Sequence, residues 1–339
     1  MVESDIILNS LSLNAQKNYR IILQAMQKKE KVIRILNVGQ ADVVNLISYV
    51  LQEHPEIIYC TTNISYTKNF AGDIHIHLNN TLDLQEEEER SEKLKRKIKQ
   101  IIFKISQKNY TAYDRIRAVY EYLQENCKYD KASIHANNLQ SNYLDSGTAY
   151  GALIKRQALC SGISAAFALI CQSMGFKCCV INGNTNEDRH STFGHAWNLI
   201  QFHGEYYHLD CTWDINNYEI CKVLSYEYFF RNDIFMSSSH QWSKDLYPEC
   251  LSPKMSLYYR EKWIAMSENE CGEIIQKTTD NNKRVIRLQL SHNIKVSKEN
   301  SDIFVQRLVS KYVLSKNYGN SWSFSYNDRT RCIVIIIKD

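Results

Sequence analysis

The stretch GHAWNLIQFHGEYYHLDCTWD, residues 194–214, holds two alternating runs on either side of a glycine-containing turn. That pattern specifies a β-hairpin, and its register then decides every neighbour on both faces. His195, Trp197, Leu199 and Gln201 share one face of the first strand; Tyr206, His208 and Asp210 share one face of the second. A two-residue loop at His203-Gly204 pairs Phe202 with Glu205, sets Trp197 opposite Asp210 and leaves His195 diagonal to Asp210. A four-residue loop keeps this register, whereas an odd-length loop would part the two side chains. Diagonal neighbours lie roughly 7–8 Å apart at the backbone and somewhat less at Cβ, so the imidazole and carboxylate can meet. A carboxylate there fixes the imidazole tautomer and stabilises its protonated form. His203 reads as a turn residue and His208 as a strand residue.

The segment QALCSGISAAFALICQSMG, Gln157–Gly175, supplies a thiol. Ile163, Ala166, Phe167, Ile170 and Met174 recur at helical spacing, and Gly175 is a natural stop. Cys160 therefore falls at the first turn or just before it, where unpaired backbone N–H groups favour negative charge. A thiol so placed is partly converted to thiolate, the nucleophilic form. Ser161, Gly162, Ser164 and Ala165 are small enough for another element or a substrate to come close. Cysteine, histidine and aspartate in this order make a nucleophilic acyl-transfer site.

Around this middle, a helical pattern covers Leu13–Gln27, KVIRILN reads as a strand, ADVVNLISYVLQEH as a helix, and EIIYCTTNISYT and GDIHIHLN as strands. These form a small α/β module over residues 1–82. EEEERSEKLKRKIKQIIFKISQ begins a long helix with Leu94, Ile98, Ile101, Ile102 and Ile105 at helical spacing. Its mixed charges read as a solvated face. TAYDRIRAVYEYLQEN is a second helix, with Thr111 and Asp114 as a capping box and Tyr113, Ile116, Tyr120 and Leu123 as its buried stripe. Cys127–Gly147 is polar and irregular. The catalytic part is expected over 83–265. KRVIRLQL, a helical pattern near Asp302–Val313, SWSFSY and RCIVIIIKD make a β-α-β-β appendix over 266–339.

The 339 residues exceed one ordinary core and suffice for two or three modest domains. A 44% hydrophobic, 23% charged composition suits a soluble globular chain. The net charge of +4 gives no reason to invoke nucleic acid or an acidic membrane surface. The start, MVESDIILNSLSLNAQ, lacks a basic segment followed by a long apolar run, so neither a signal peptide nor a transmembrane helix is expected. Eleven cysteines, an odd number with Cys178 and Cys179 adjacent, suit a reducing cytoplasm better than a disulfide framework. No C-x-x-C pair with ligand spacing occurs, which weighs against a structural metal site. No cofactor or metal is expected.

Taken together, ALCSG, GHAWN and YYHLDCTWD, with the cysteine and histidine 35 residues apart and the histidine and aspartate 15 apart, resemble the transglutaminase-like superfamily in its bacterial form. GTAYGALIKRQALC and RIRAVYEYLQENCKYD resemble it too, and the likeness covers about Tyr110–Phe230. EHPEIIYC and YEYFFRNDIFMSSSHQW resemble flanking features of some members. Arg156 departs from the family, which usually has a small residue in the turn before the cysteine. The resemblance implies an α+β, papain-like core with the nucleophile helix against an antiparallel sheet, here with small α/β additions at both ends. It implies Cys160 as nucleophile, His195 as general base and acid, and Asp210 as orienting acid. The Cys160 N–H would help to hold the oxyanion, with Tyr129 or Gln157 as second donor. Trp197 would wall the cleft or pack under the triad, and Trp213 and Asp214 would be structural. The expected activity is hydrolysis of a peptide or protein substrate through a thioester. Amine transfer and a non-catalytic binding or scaffold role are the alternatives. Oligomeric state stays open.

Overall fold

Ser12 opens the first helix of the chain, its side chain accepting from Ala15 N at the start of α1 (Leu13–Gln27). The computed structural model describes residues 4–35, 40–68, 74–80, 82–135, 145–185, 194–316, 319 and 321–338. β1 (Val32–Ile35), α2 (Gln40–Glu53), β2 (Cys60–Lys68) and β3 (Ile74–Asn80) follow, and the strands form an antiparallel sheet in the order β1-β3-β2. Ile22, Met26, Val43, Ile47, Ile35 and Ile76 share its buried core. These are the elements that the alternation predicts.

α3 (Leu84–Ser106) starts at Asp83, whose side chain accepts from Glu86 N, and buries Leu94, Ile98, Ile101 and Ile105. α4 (Ala112–Asn126) carries the capping box of Thr111 and Asp114 and buries Tyr113, Ile116, Tyr120 and Leu123. β4 (Lys128–Tyr129) and the short α5 (Lys131–His135) come next. They lie within the stretch expected to be irregular, of which 136–144 fall outside the described residues. β5 (Gln157–Ala158) pairs parallel with β4.

α6 (Cys160–Ser173), β6 (Cys178–Thr185), β7 (His195–Phe202) and β8 (Glu205–Leu209) build the centre. The hairpin forms in the expected register, with Phe202 opposite Glu205 and Asn198 opposite Leu209. His203 and Gly204 both take positive φ, 51° and 82°, which matches the strand twist as a two-residue loop must. α7 (Cys211–Cys221) leaves β8 directly, and α8 (Asp233–Met236) leads to β9 (His240–Gln241), which completes a sheet ordered β8-β7-β6-β9. Cys178, Val180, Ala196 and Ile200 face Ile163, Phe167 and Ile170 of α6. On the other face Cys179, Ile181, Trp197 and Leu199 pack with Ile6, Ile7, Tyr228 and Tyr247. α6 is buried almost all round, Gly162 through Gln172, and not along the single stripe expected. A Cβ on Gly162 would lie 2.3 Å from the Ser146 carbonyl oxygen, so the small residues after Cys160 admit the 146–148 backbone.

α9 (Leu257–Arg260), β10 (Ile264–Ala265), α10 (Glu268–Asp280), β11 (Val285–Leu290), α11 (Ser301–Tyr312), β12 (Ser321–Asn327) and β13 (Cys332–Lys338) end the chain. The strands are ordered β10-β11-β13-β12, with β10 parallel and the rest antiparallel. The expected β-α-β-β run is β11-α11-β12-β13; α10 was not foreseen. Ile275, Leu288, Val305 and Ile335 lie in its core.

Buried Glu227 joins this last sheet to the centre. Asn327 Nδ2 donates to its carboxylate at 2.7 Å, and Thr330 Oγ1 donates to the same oxygen. Burial pushes the carboxyl up to about 7. A folded-state value above the unfolded one means that the folded state binds the proton more tightly. This contribution to stability is full below the unfolded value, about 4.5, and is lost as pH rises through 7. Glu227→Gln should therefore gain on the wild type in thermal midpoint as pH climbs across that window. A constant difference between the two melting curves would contradict this.

Candidate active site

Leu159 occupies the N-cap of α6 with extended backbone and no side-chain cap, unlike Ser12, Asp83 and Thr111 at α1, α3 and α4. An aliphatic residue cannot accept from the first-turn N–H groups, so that end of the helix keeps its positive potential. Cys160 is the first residue beyond it. Of the 11 cysteines, nine are buried and only Cys160 and Cys221 are half-buried. Burial raises the Cys160 thiol, but hydrogen bonding to His195 and the charge of its ring outweigh this, and the net direction is down.

His195 opens β7, and its Nε2 lies 2.7 Å from Asp210 Oδ2. With Nε2 committed to the carboxylate, Nδ1 is the ring nitrogen left for the thiol. Burial lowers the imidazole, yet the charge and hydrogen bond of Asp210 and contact with Cys160 raise it overall. A thiol moved down beside an imidazole moved up favours the thiolate–imidazolium pair.

Asp210 is wholly buried at the N-cap of α7. Its Oδ1 accepts from Thr212 N at 2.9 Å and Trp213 N at 3.2 Å. Burial raises its carboxyl, but His195 and then His240 hold it well below the usual carboxylate range. Asp214, one turn on, is equally buried and accepts from Ser225 Oγ and Tyr120 Oη, both at 2.6 Å, which ties α7 to α4 and the following loop.

Trp197 does not wall a cleft. It has no exposed surface, and its ring stacks on His195 with centroids 5.9 Å apart and planes 20° off parallel. The face that alternation assigns it is covered by Ile6, Ile7 and Tyr228. Its Nε1–H donates to His208 Nδ1 at 3.0 Å, and His208 Nε2 donates to Asp233 Oδ1 at 2.8 Å. An indole only donates, so Nδ1 must carry the lone pair and Nε2 the proton. His208, Asp233 and Cys250 are close enough to hold a metal ion. The indole instead settles His208 in the tautomer whose Nε2 points a proton, not a lone pair, into that space.

Gln157 is exposed, and its Nε2 donates to Asp130 Oδ1 at 2.9 Å rather than toward the thiol. Tyr129 lies on β4 and its hydroxyl reaches the Cys160 thiol; burial foremost, then the Cys160 charge, pushes the phenol up. Tyr129 is thus the better placed of the two expected donors. Arg156 has φ of 60° and an exposed side chain, filling a left-handed position without blocking the thiol's helix. His240 on β9, whose Nε2 lies 3.0 Å from Asp210 Oδ2, is not among the residues that the sequence points to. The stretch that holds it, YEYFFRNDIFMSSSHQW, resembles a flanking feature of the family without singling out His240.

Trp197→Phe removes one donor and leaves a buried histidine nitrogen unpaired, a loss of about 1–3 kcal/mol before any packing term. Urea denaturation should show at least that drop, and adding His208→Phe should cost less than the sum of the two single changes. Strict additivity would mean that the indole and imidazole do not interact.

Residues 99–211 match the model of the transglutaminase-like superfamily. No curated protein matches the chain. Among solved structures, one described as a TGase aligns at 14% identity and TM-score 0.32, over 53% of this chain and 50% of that one. A second, described as a cysteine protease candidate from Cytophaga hutchinsonii, aligns at 13% identity and TM-score 0.27, over 44% of this chain and 61% of that one. The chain thus covers less than two thirds of either neighbour. Among the described residues, no helix is long and apolar enough to cross a membrane. Residues 99–211, which hold Cys160 and His195 and end just past Asp210, form a transglutaminase-like domain.

Proposed function

We propose that the chain is a thiol-dependent acyl-transfer enzyme that hydrolyses peptide or amide bonds, with Cys160 as nucleophile, His195 as general acid and base, and Asp210 as the carboxylate that orients His195. The observation that carries this is the contact of Cys160, His195 and Asp210 at the uncapped start of α6.

The Cys160 thiolate attacks the carbonyl carbon, and the C=O electron pair moves onto oxygen. The backbone N–H of Cys160 and the Tyr129 hydroxyl stabilise that oxyanion. As the tetrahedral intermediate collapses, the His195 imidazolium gives its Nδ1 proton to the departing amine, leaving a thioester. Water then enters, His195 takes its proton, and a second collapse releases the acid and restores the thiolate. Asp210 stays ionised throughout and stabilises the imidazolium each time it forms.

A cleft of about 320 Å³ flanks the thiol's helix, lined by Ser48, Leu51, Gln52 and Ile57 on one side and Leu159, Ser161, Val180 and Asn182 on the other. No charged side chain lines it among the described residues. Its mix of apolar and neutral hydrogen-bonding groups suits an uncharged stretch of peptide.

Incubating the protein and its Cys160→Ala variant with a peptide library and an added primary amine distinguishes the outcomes. Cleavage by the wild type alone is expected. Amine incorporation in place of cleavage would redirect the thioester to transfer, and identical behaviour of the two proteins would contradict an enzymatic role.

A further inference from the structure

His240 is 1% exposed on β9, thirty positions beyond Asp210 in the chain. Its Nε2 lies 3.0 Å from Asp210 Oδ2, the same oxygen that His195 Nε2 meets at 2.7 Å. Its Nδ1 lies 2.8 Å from Ser239 Oγ. An ionised carboxylate only accepts, so His240 Nε2 carries a proton; the Ser239 hydroxyl then donates to Nδ1 of a neutral ring. The ring is boxed by Trp213, Trp197 and Tyr228, with centroids 4.6, 4.9 and 5.6 Å away.

Asp210 thus accepts four N–H bonds, two per oxygen, with no exposed surface of its own. The titratable groups around it are His195 on β7, His240 on β9, Cys160 on α6, Tyr129 on β4, Tyr120 on α4, Cys211 and Asp214 on α7, and Tyr228 in the next loop. Among the described residues, none of these besides His195 brings a positive charge. A buried carboxylate that loses one of its four donors is driven toward its protonated form.

We propose that His240 is a positioning residue for this site: as a neutral donor it occupies the second lone pair of Asp210 Oδ2 and keeps the buried carboxylate ionised opposite His195. This rests on the thiol-enzyme reading above. A cation in that place would share the carboxylate's charge with His195 and weaken the imidazolium; a neutral imidazole solvates Asp210 without competing. Burial, the largest influence on the ring, holds His240 down at about 4, so it remains neutral where the thiolate pair forms. The backbone is built for the contact. A Cβ on Gly183 would come 2.2 Å from Gln241 O and 2.6 Å from the Trp197 ring, and β9 pairs with β6 at Thr185–His240 and Asn184–Gln241. Only glycine lets β9 and the indole close in together there.

The test is the pH profile of Cys160 alkylation by iodoacetamide, located by peptide mass analysis, in wild type, His240→Phe and His240→Gln, with thermal unfolding as a check on folding. Phenylalanine keeps the ring and removes the donor. The acid limb should move up by about one pH unit, read as roughly tenfold slower alkylation on that limb. Glutamine restores an N–H and should return the rate to within about threefold of wild type. A His240→Phe profile superimposed on that of wild type would overturn the proposal, as would a folded glutamine variant that behaves like the phenylalanine one. So would stoichiometric metal in the purified wild type that disappears with His240. Should His240→Phe not fold, nitrogen NMR of the wild type decides: a neutral ring protonated at Nε2 through neutral pH supports the proposal, and a charged ring or one protonated at Nδ1 overturns it. Slow, ordinary alkylation of wild-type Cys160 would instead remove the thiol-enzyme reading itself, a result distinct from any change confined to the variants.

Discussion

A single buried carboxylate, Asp210, is where the architecture and the chemistry meet. It caps α7 through one oxygen and receives two imidazoles through the other. Unpaired, an ionised carboxylate with no exposed surface would cost several kcal/mol. Here every acceptor position is filled, so the charge persists beside the His195 ring. The same residue joins β7, β8, β9 and α7.

Around that carboxylate, orientation is imposed by groups that each have one available role. The Trp197 indole can only donate, and it settles His208, which in turn donates to Asp233. That chain anchors the ring on which His195 stacks. Leu159 cannot cap α6, so its side chain leaves the first-turn N–H groups without an acceptor. Trp197, Trp213 and Tyr228 box the His240 ring, and its burial lowers the imidazole's pKa. In the proposed enzyme, partners fixed in this way keep the reacting groups aligned without a reorganisation cost at the moment of reaction.

Much of this was legible because it follows from local periodicity. Strict alternation and a His-Gly turn placed His195 near Asp210, and that inference needed only the hairpin register. The α6 start was legible from the small residues after Cys160 and the helical spacing beyond. What escaped depends on long-range packing. β9 is two residues long and pairs with β6 across more than fifty positions of sequence, so no local pattern brings His240 to Asp210. Alternation gives Trp197 the correct face but is silent on what covers that face, and Ile6 and Ile7 come from the far end of the chain. α10 carries only Cys271, Ile274 and Ile275 as an apolar stripe, too weak to stand out, although Ser267 and Glu270 do mark its start.

In the proposed site, Cys160 is a thiolate at neutral pH because His195 is a cation held by Asp210. Ultraviolet thiolate absorbance, titrated from acid to alkaline pH as the difference between wild type and Cys160→Ala, measures that state with no substrate required. Thiolate signal from Cys160 is expected well below the ordinary thiol range of about 8.5, abolished there when His195 is replaced by phenylalanine. A Cys160 signal that appears only near that ordinary value, unchanged by the loss of His195, would contradict it.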